Sequence, residues 1–202
     1  MSDQRSIESV EAPFLAALVA SGFEVSSVAE IHARYESLPS GLAELLLEWI
    51  PRLEDSRLQE SATWALLAAP KETLNGPVLA ELFDAAATDE LKWAIAAVIN
   101  QTRPRNIDEW LIGAVRDLRS GNARRLLAAA VAKMLPAERA VPVLLDVFEA
   151  APLAAVHPLG RIGDRQVRDF LAEHQSAATG PLRRELRQAI ASIERRLAKS
   201  RV

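Results

Sequence analysis

One short alanine-rich helical unit recurs along the chain about every thirty residues. Its copies begin at Leu91 (LKWAIAAVI), Ala123 (ARRLLAAAVAKML), Leu153 (LAAVHPLGRIGD) and Arg183 (RRELRQAIASI), so the starts are 32, 30 and 30 residues apart. A helical stretch with larger side chains precedes each copy. A fixed period in this range belongs to arrays of stacked helix pairs, because a single pair cannot bury its apolar face and needs its neighbours to cover it.

Composition supports helices. Hydrophobic residues make up 50% of the chain and aromatics only 5%, with Ala and Leu dominant. Closely packed helices suit that mixture better than a β-sandwich, which draws on Val, Ile, Thr and Tyr. With no Cys, disulfides, zinc–thiolate sites, iron–sulfur clusters and a cysteine nucleophile are excluded. No apolar run reaches the roughly 20 residues of a membrane helix. The start, MSDQRSIESVEAP, is polar and acidic, unlike a signal peptide. A cytoplasmic protein with no membrane partner is expected.

Helical periodicity and turn residues together predict about twelve helices: about 8–20, 25–37, 41–53, 56–69, 77–87, 89–101, one from Asn106 or Asp108 to about 118, then 123–135, 138–150, 152–162, 165–175 and 180–199. The first should bury Val10, Phe14, Leu15, Leu18 and Val19 on one face. Turns fall at Ser21-Gly22, Leu38-Pro39-Ser40-Gly41, Pro70, Asn75-Gly76-Pro77, Pro104, Gly121-Asn122, Pro136, Pro152 and Gly163-Asp164. The expected fold is all-α, about six antiparallel helix pairs in one continuous domain over 1–202. Residues 1–38 are the least regular pair, a capping or separate hairpin.

Net charge is −3, unevenly placed: residues 1–100 carry 16 acids and 6 bases, residues 101–202 carry 11 acids and 18 bases. In a linear array, sequence position maps onto the long axis, so one end should be acidic and the other basic.

Two stretches resemble HEAT repeats, especially the short HEAT-like (PBS lyase-type) repeats of bacterial proteins. Leu159-Gly160-Arg161-Ile162-Gly163-Asp164, followed by Val167 and Leu171, looks like that family's inner-helix ending, turn and next outer helix. Arg139-Ala140-Val141-Pro142-Val143-Leu144-Leu145 resembles its outer-helix start. The glycines permit a tight turn, Asp164 can cap the next helix, and a proline in an outer helix's first turns falls where N–H groups lack partners. The resemblance is clearest over residues 76–200 and weaker before them. It implies a right-handed α-α superhelix, or solenoid, with the second helix of each pair lining a concave face.

On those inner helices the bases are Lys92, Arg124, Arg125, Lys133, Arg161, Arg183, Arg184 and Arg187, with His157 beside them. Exposed arginine forks there would suit carboxylates or phosphates. Lys92, Trp93, Arg124, Arg125, His157, Arg161, Arg183, Arg184 and Arg187 are the candidate partner-binding residues. Trp64 and Trp93 sit about one repeat apart and either form an aromatic patch or fill the core between layers. Pro158 should cost α-helical hydrogen bonding and kink its helix. The histidines 32, 157 and 174 show no HxxxH or HExxH spacing, so no metal site is expected. Acidic pairs at Glu54-Asp55, Asp89-Glu90 and Asp108-Glu109 sit at helix starts, where they favour the dipole. No GxSxG, P-loop or GxGxxG occurs, and neither catalytic residues nor a cofactor is expected.

These features point to a non-enzymatic scaffold binding a protein partner, an adaptor or immunity-type protein whose basic concave face takes an acidic segment. Two other functions share the repeat. HEAT-like alkylpurine DNA glycosylases would imply nucleic acid, but the Asp expected four residues after a Trp is replaced by Leu53, Ala68, Ala97 and Ala114, and the acidic half repels phosphates. Bilin lyases would imply tetrapyrrole chemistry, for which no residue argues. Oligomeric state is not specified by any of these features.

Overall fold

The computed structural model describes the backbone of residues 2–199 and the side chains of residues 11–199. Among the described residues there are twelve α-helices and no strand: α1 (Ser2–Ala20), α2 (Val28–Arg34), α3 (Ser40–Trp49), α4 (Ser56–Ala65), α5 (Gly76–Ala85), α6 (Asp89–Thr102), α7 (Asp108–Arg116), α8 (Arg124–Met134), α9 (Ala137–Ala150), α10 (Pro152–Ile162), α11 (Arg165–Ala177) and α12 (Gly180–Lys199). Short 3₁₀ stretches, Ile50–Arg52, Leu66–Ala68 and Leu118–Ala123, complete three boundaries.

Local chemistry explains the ends. Asp55, Asn75, Thr88 and Asp164 each accept a backbone N–H of the first turn that follows, of α4, α5, α6 and α11 respectively, which satisfies donors that have no partner inside the helix. The second helix is shorter than 25–37, because Ser27 caps its start and Tyr35 turns to extended backbone (φ −113°, ψ 110°). Of the two starts expected for the seventh helix, Asn106 or Asp108, the structure takes Asp108, and the helix stops at Arg116 instead of 118, where Asp117 leaves the helical region and accepts from the Arg119 N–H. Pro142 corrects one expectation: it is the sixth residue of α9, beyond the unpartnered donors of the first turn, so the Glu138 carbonyl loses a helical partner. Pro142 and Glu138 are both exposed, where solvent can serve that carbonyl.

The chain divides into two compact units, Met1–Ile107 and Asp108–Val202. In the first, α2 packs on α4, α4 on α6, α1 on α3 and α5 on α6, so the first helix pair packs onto its successors. Phe14, Leu18, Ile31, Leu42, Leu46, Leu66, Ile95 and Ile99 are buried there. Val19 departs from its expected place on the buried face and is 57% exposed; the side chain of Val10 lies outside the described residues. Gly76 is required where α5 meets the loop after α6, since a Cβ there would stand 2.0 Å from the Arg105 carbonyl oxygen.

In the second unit α7–α8, α9–α10 and α11–α12 pack as hairpins, α8 packs on α10 and α10 on α12, and α7 packs on α9. Ion pairs fix the directions. Arg116 at the end of α7 meets Asp146 near the end of α9, while Arg139 near the start of α9 meets Asp108 and Glu109 at the start of α7. The two helices therefore run parallel. Gly160 of α10 faces Ala189 of α12, and Arg196 donates to the carbonyls of Gly160, Arg161 and Gly163, so α10 and α12 are parallel too. It follows that α8, α10 and α12 all start at one end of the unit. The turns α7–α8, α9–α10 and α11–α12 form that end. Ala128, Ala130, Ala155 and Ala189 are buried on these helices, and at Ala189 the small side chain lets α12 approach Gly160 of α10 closely.

Candidate functional site

Acidic residues are sorted by helix in the second unit. Helices α8 and α10 contain none. Helices α7, α9 and α11 carry Asp108, Glu109, Glu138, Asp146, Glu149, Asp169 and Glu173, and α12 has Glu185 and Glu194.

The arginines fare accordingly. On the odd-numbered helices, Arg116 pairs with Asp146 at 2.5 Å and Arg139 with Glu109 at 2.6 Å. Arg168 meets Asp169 and, at 4.0 Å, Glu194, while Arg165 is exposed with no ion-pair partner among the described residues. On the even-numbered helices, Arg125, Arg161, Arg183, Arg184 and Arg187 are exposed and have no ion-pair partner among the described residues. Uncompensated like charges on neighbouring helices raise the local potential and favour an anionic ligand.

Between α10 and α12 lies a groove of about 350 Å³ whose walls include His157, Arg161, Glu185, Gln188, Ser192 and Arg195. Its floor is made of small residues, Gly160 and Ala189. The groove is shallow because Gly160 has no side chain: a Cβ there would lie 2.8 Å from both Cα and Cβ of Ala189. His157 and Arg161 are one turn apart on α10 and share a face; Arg184, Gln188 and Arg195 do the same on α12. Arg183 and Arg187 lie round the helix from the groove, on its exposed side.

Arg124 departs from the exposed-face expectation. It is 7% exposed, and its guanidinium donates to the Asp117 carbonyl at 2.8 Å, so it holds the α7–α8 turn closed. Lys92 and Trp93 belong to the first unit. The Lys92 ammonium lies 6.0 Å from the Phe83 ring centroid, which ties it to α5, while Trp93 is 36% exposed. Trp64 is half-buried. Trp49 packs on Phe14 with ring centroids 5.7 Å apart. His174 packs edge-on against Phe148, and its Nδ1 lies 2.8 Å from the Phe170 carbonyl; His32 is exposed on α2.

Arg195, Gln188 and Ser192 belong to the groove but are absent from the sequence-based candidates. The signal was present: Arg195 follows Arg184 by eleven residues, three helical turns on the same face. A larger cavity, about 660 Å³, lies in the first unit against α3 and the loops around 72–77 and 105–106. Its base, Arg105, is already paired with Glu72 at 2.7 Å, so it offers no free positive charge. No cluster of three or more potential metal ligands occurs among the described residues, and none of their helices is long and apolar enough to cross a membrane. No family model, no curated protein and no solved structure matches this chain.

Proposed function

We propose that the helix hairpins are turns of a HEAT-like α-solenoid and that the protein is a non-enzymatic binding module, with the α8–α10–α12 face taking an acidic segment of a protein partner. One observation carries this reading: Arg116, Arg139 and Arg168 on the odd-numbered helices are matched by acids, Arg165 alone of their arginines having no ion pair among the described residues, whereas Arg125, Arg161, Arg183, Arg184 and Arg187 all lack one. Unmatched like charges on neighbouring helices cost stability through mutual repulsion, and a carboxylate-rich ligand relieves it. Arg125 also stands in the first turn of α8 and Arg183 in that of α12, the end where the helix dipole disfavours a cation.

The test is fluorescence anisotropy of a labelled glutamate-rich peptide with the full chain. Replacing Arg125, Arg161 and Arg184 together by Glu is expected to weaken binding by roughly tenfold or more; Arg124 is left intact because it is a buried structural group. Lys92→Glu, in the other unit, serves as the control and should change little. Equal affinity of the wild type and the triple variant would sink the reading.

A further inference from the structure

The second unit exposes two large apolar side chains that its core does not use: Leu118 is 69% exposed and Leu153 is 47% exposed. Leu118 lies in the α7–α8 turn and Leu153 is the second residue of α10, so both stand at the end where the even-numbered helices start. One helix layer, about 8–10 Å, separates neighbours there. Leu118 is held in place: Asp117 accepts from the Arg119 N–H at 2.9 Å, Ser120 Oγ donates to the Ala114 carbonyl at 2.6 Å, and Arg124 reaches the Asp117 carbonyl. A hydrogen-bonded turn presenting a bare leucine is preorganised for contact, which lowers the ordering cost of binding.

From that end the basic residues continue along the helices. Arg125 and Arg184 stand near it, while Arg161 and Arg195 lie deeper. Arg184 to Arg195 is eleven residues of helix, about 16 Å, a length covered by about five residues of extended chain. Neither α8 nor α10 has a side-chain cap at its start, and the positive ends of the helix dipoles point the same way.

We infer that the acidic segment bears an apolar anchor at one end, seated on Leu118 and Leu153, and runs lengthwise along the α10–α12 groove with its acids toward Arg161 and Arg195. The inference rests on the acidic-segment reading and adds to it an apolar requirement and the end of the groove that meets it, whichever way the segment's chain runs. A flat anionic membrane meeting the turn end would reach the two leucines but not Arg161 and Arg195; a peptide segment reaches all four.

The experiment uses the full chain and labelled peptides: two Leu followed by five Glu, the reverse order, and two Ser followed by five Glu. A leucine-bearing peptide is expected to bind about fivefold or more tighter than the serine peptide. The double variant Leu118→Ser/Leu153→Ser, checked for unchanged thermal unfolding, should abolish that difference while leaving serine-peptide affinity unchanged. Equal binding of leucine and serine peptides to the wild type overturns the anchor, and does so without any variant; the acidic-segment reading then survives through its arginine dependence. A difference that persists in the double variant also overturns it. If no peptide binds, both readings fall, and co-sedimentation with phosphatidylcholine vesicles containing 30% phosphatidylserine would then assign the face to a membrane.

Discussion

Gly160 sets how closely α10 and α12 approach. Because a methyl group there would meet Ala189 at 2.8 Å on a helix backbone that has little room to move, Gly160→Ala is expected to destabilise the protein by about 1–3 kcal/mol, read as a lower urea midpoint. An unchanged midpoint would mean that the two helices are less tightly set than the distances imply. Glu30 supplies a pH-dependent contribution. Its carboxylate accepts from Ser26 Oγ and Ser26 N–H, both at 2.6 Å, and these bonds, the hydroxyl's first, hold its pKa below the ordinary 4.5. A lowered folded pKa means the contribution is present above pH 4.5 and is lost as pH falls through the folded value. The stability difference between wild type and Glu30→Gln should therefore be found at pH 6 and shrink progressively below pH 4.5 in paired denaturation curves; a constant difference down to pH 3 would contradict it.

At the scale of elements, caps were the most legible feature. Asp164 and the Asn75-Gly76-Pro77 run mark their helices by chemistry that acts within three residues, and the structure uses both; between Thr88 and Asp89, which both suit a cap in sequence, it uses Thr88. Asp164→Ala should cost about 1 kcal/mol by removing the acceptor for the Val167 N–H, measurable by chemical denaturation and accompanied by faster amide exchange at the start of α11. The closure of α10's other end was not legible, since it depends on Arg196, far along the chain, reaching the Gly160 carbonyl at 3.1 Å. Within the groove wall, Glu185 opposes an acidic ligand. Glu185→Gln is expected to tighten glutamate-peptide binding by about two- to threefold, and weaker binding would place that residue among the ligand's positive contacts instead.

For the molecule as a whole, charge is a local matter. The net charge of −3 disguises a first unit with 16 acids against 8 bases and a second with 11 acids against 16 bases. Attraction of an acidic peptide must come from the second unit's field, which salt screens over about 8–10 Å. Its dissociation constant should accordingly rise about tenfold or more between 0.05 and 0.5 M NaCl; a flat salt series would point to apolar contact as the main force. Sequence alone determined the number of helices and most of their limits from α5 onward, because periodicity, caps and turns act over a few residues, while the ends of α2, α3 and α4 fall three or four residues short of the expected ones. Which arginines are neutralised was decided only by tertiary structure. Arg116 and Asp146 are 30 residues apart, as are Glu109 and Arg139, so each bridge forms only when α7 packs beside α9. The same packing buried Arg124 and left its neighbour Arg125 in solvent, since adjacent residues on a helix point about 100° apart and only the neighbouring helix settles which of those directions is the interior.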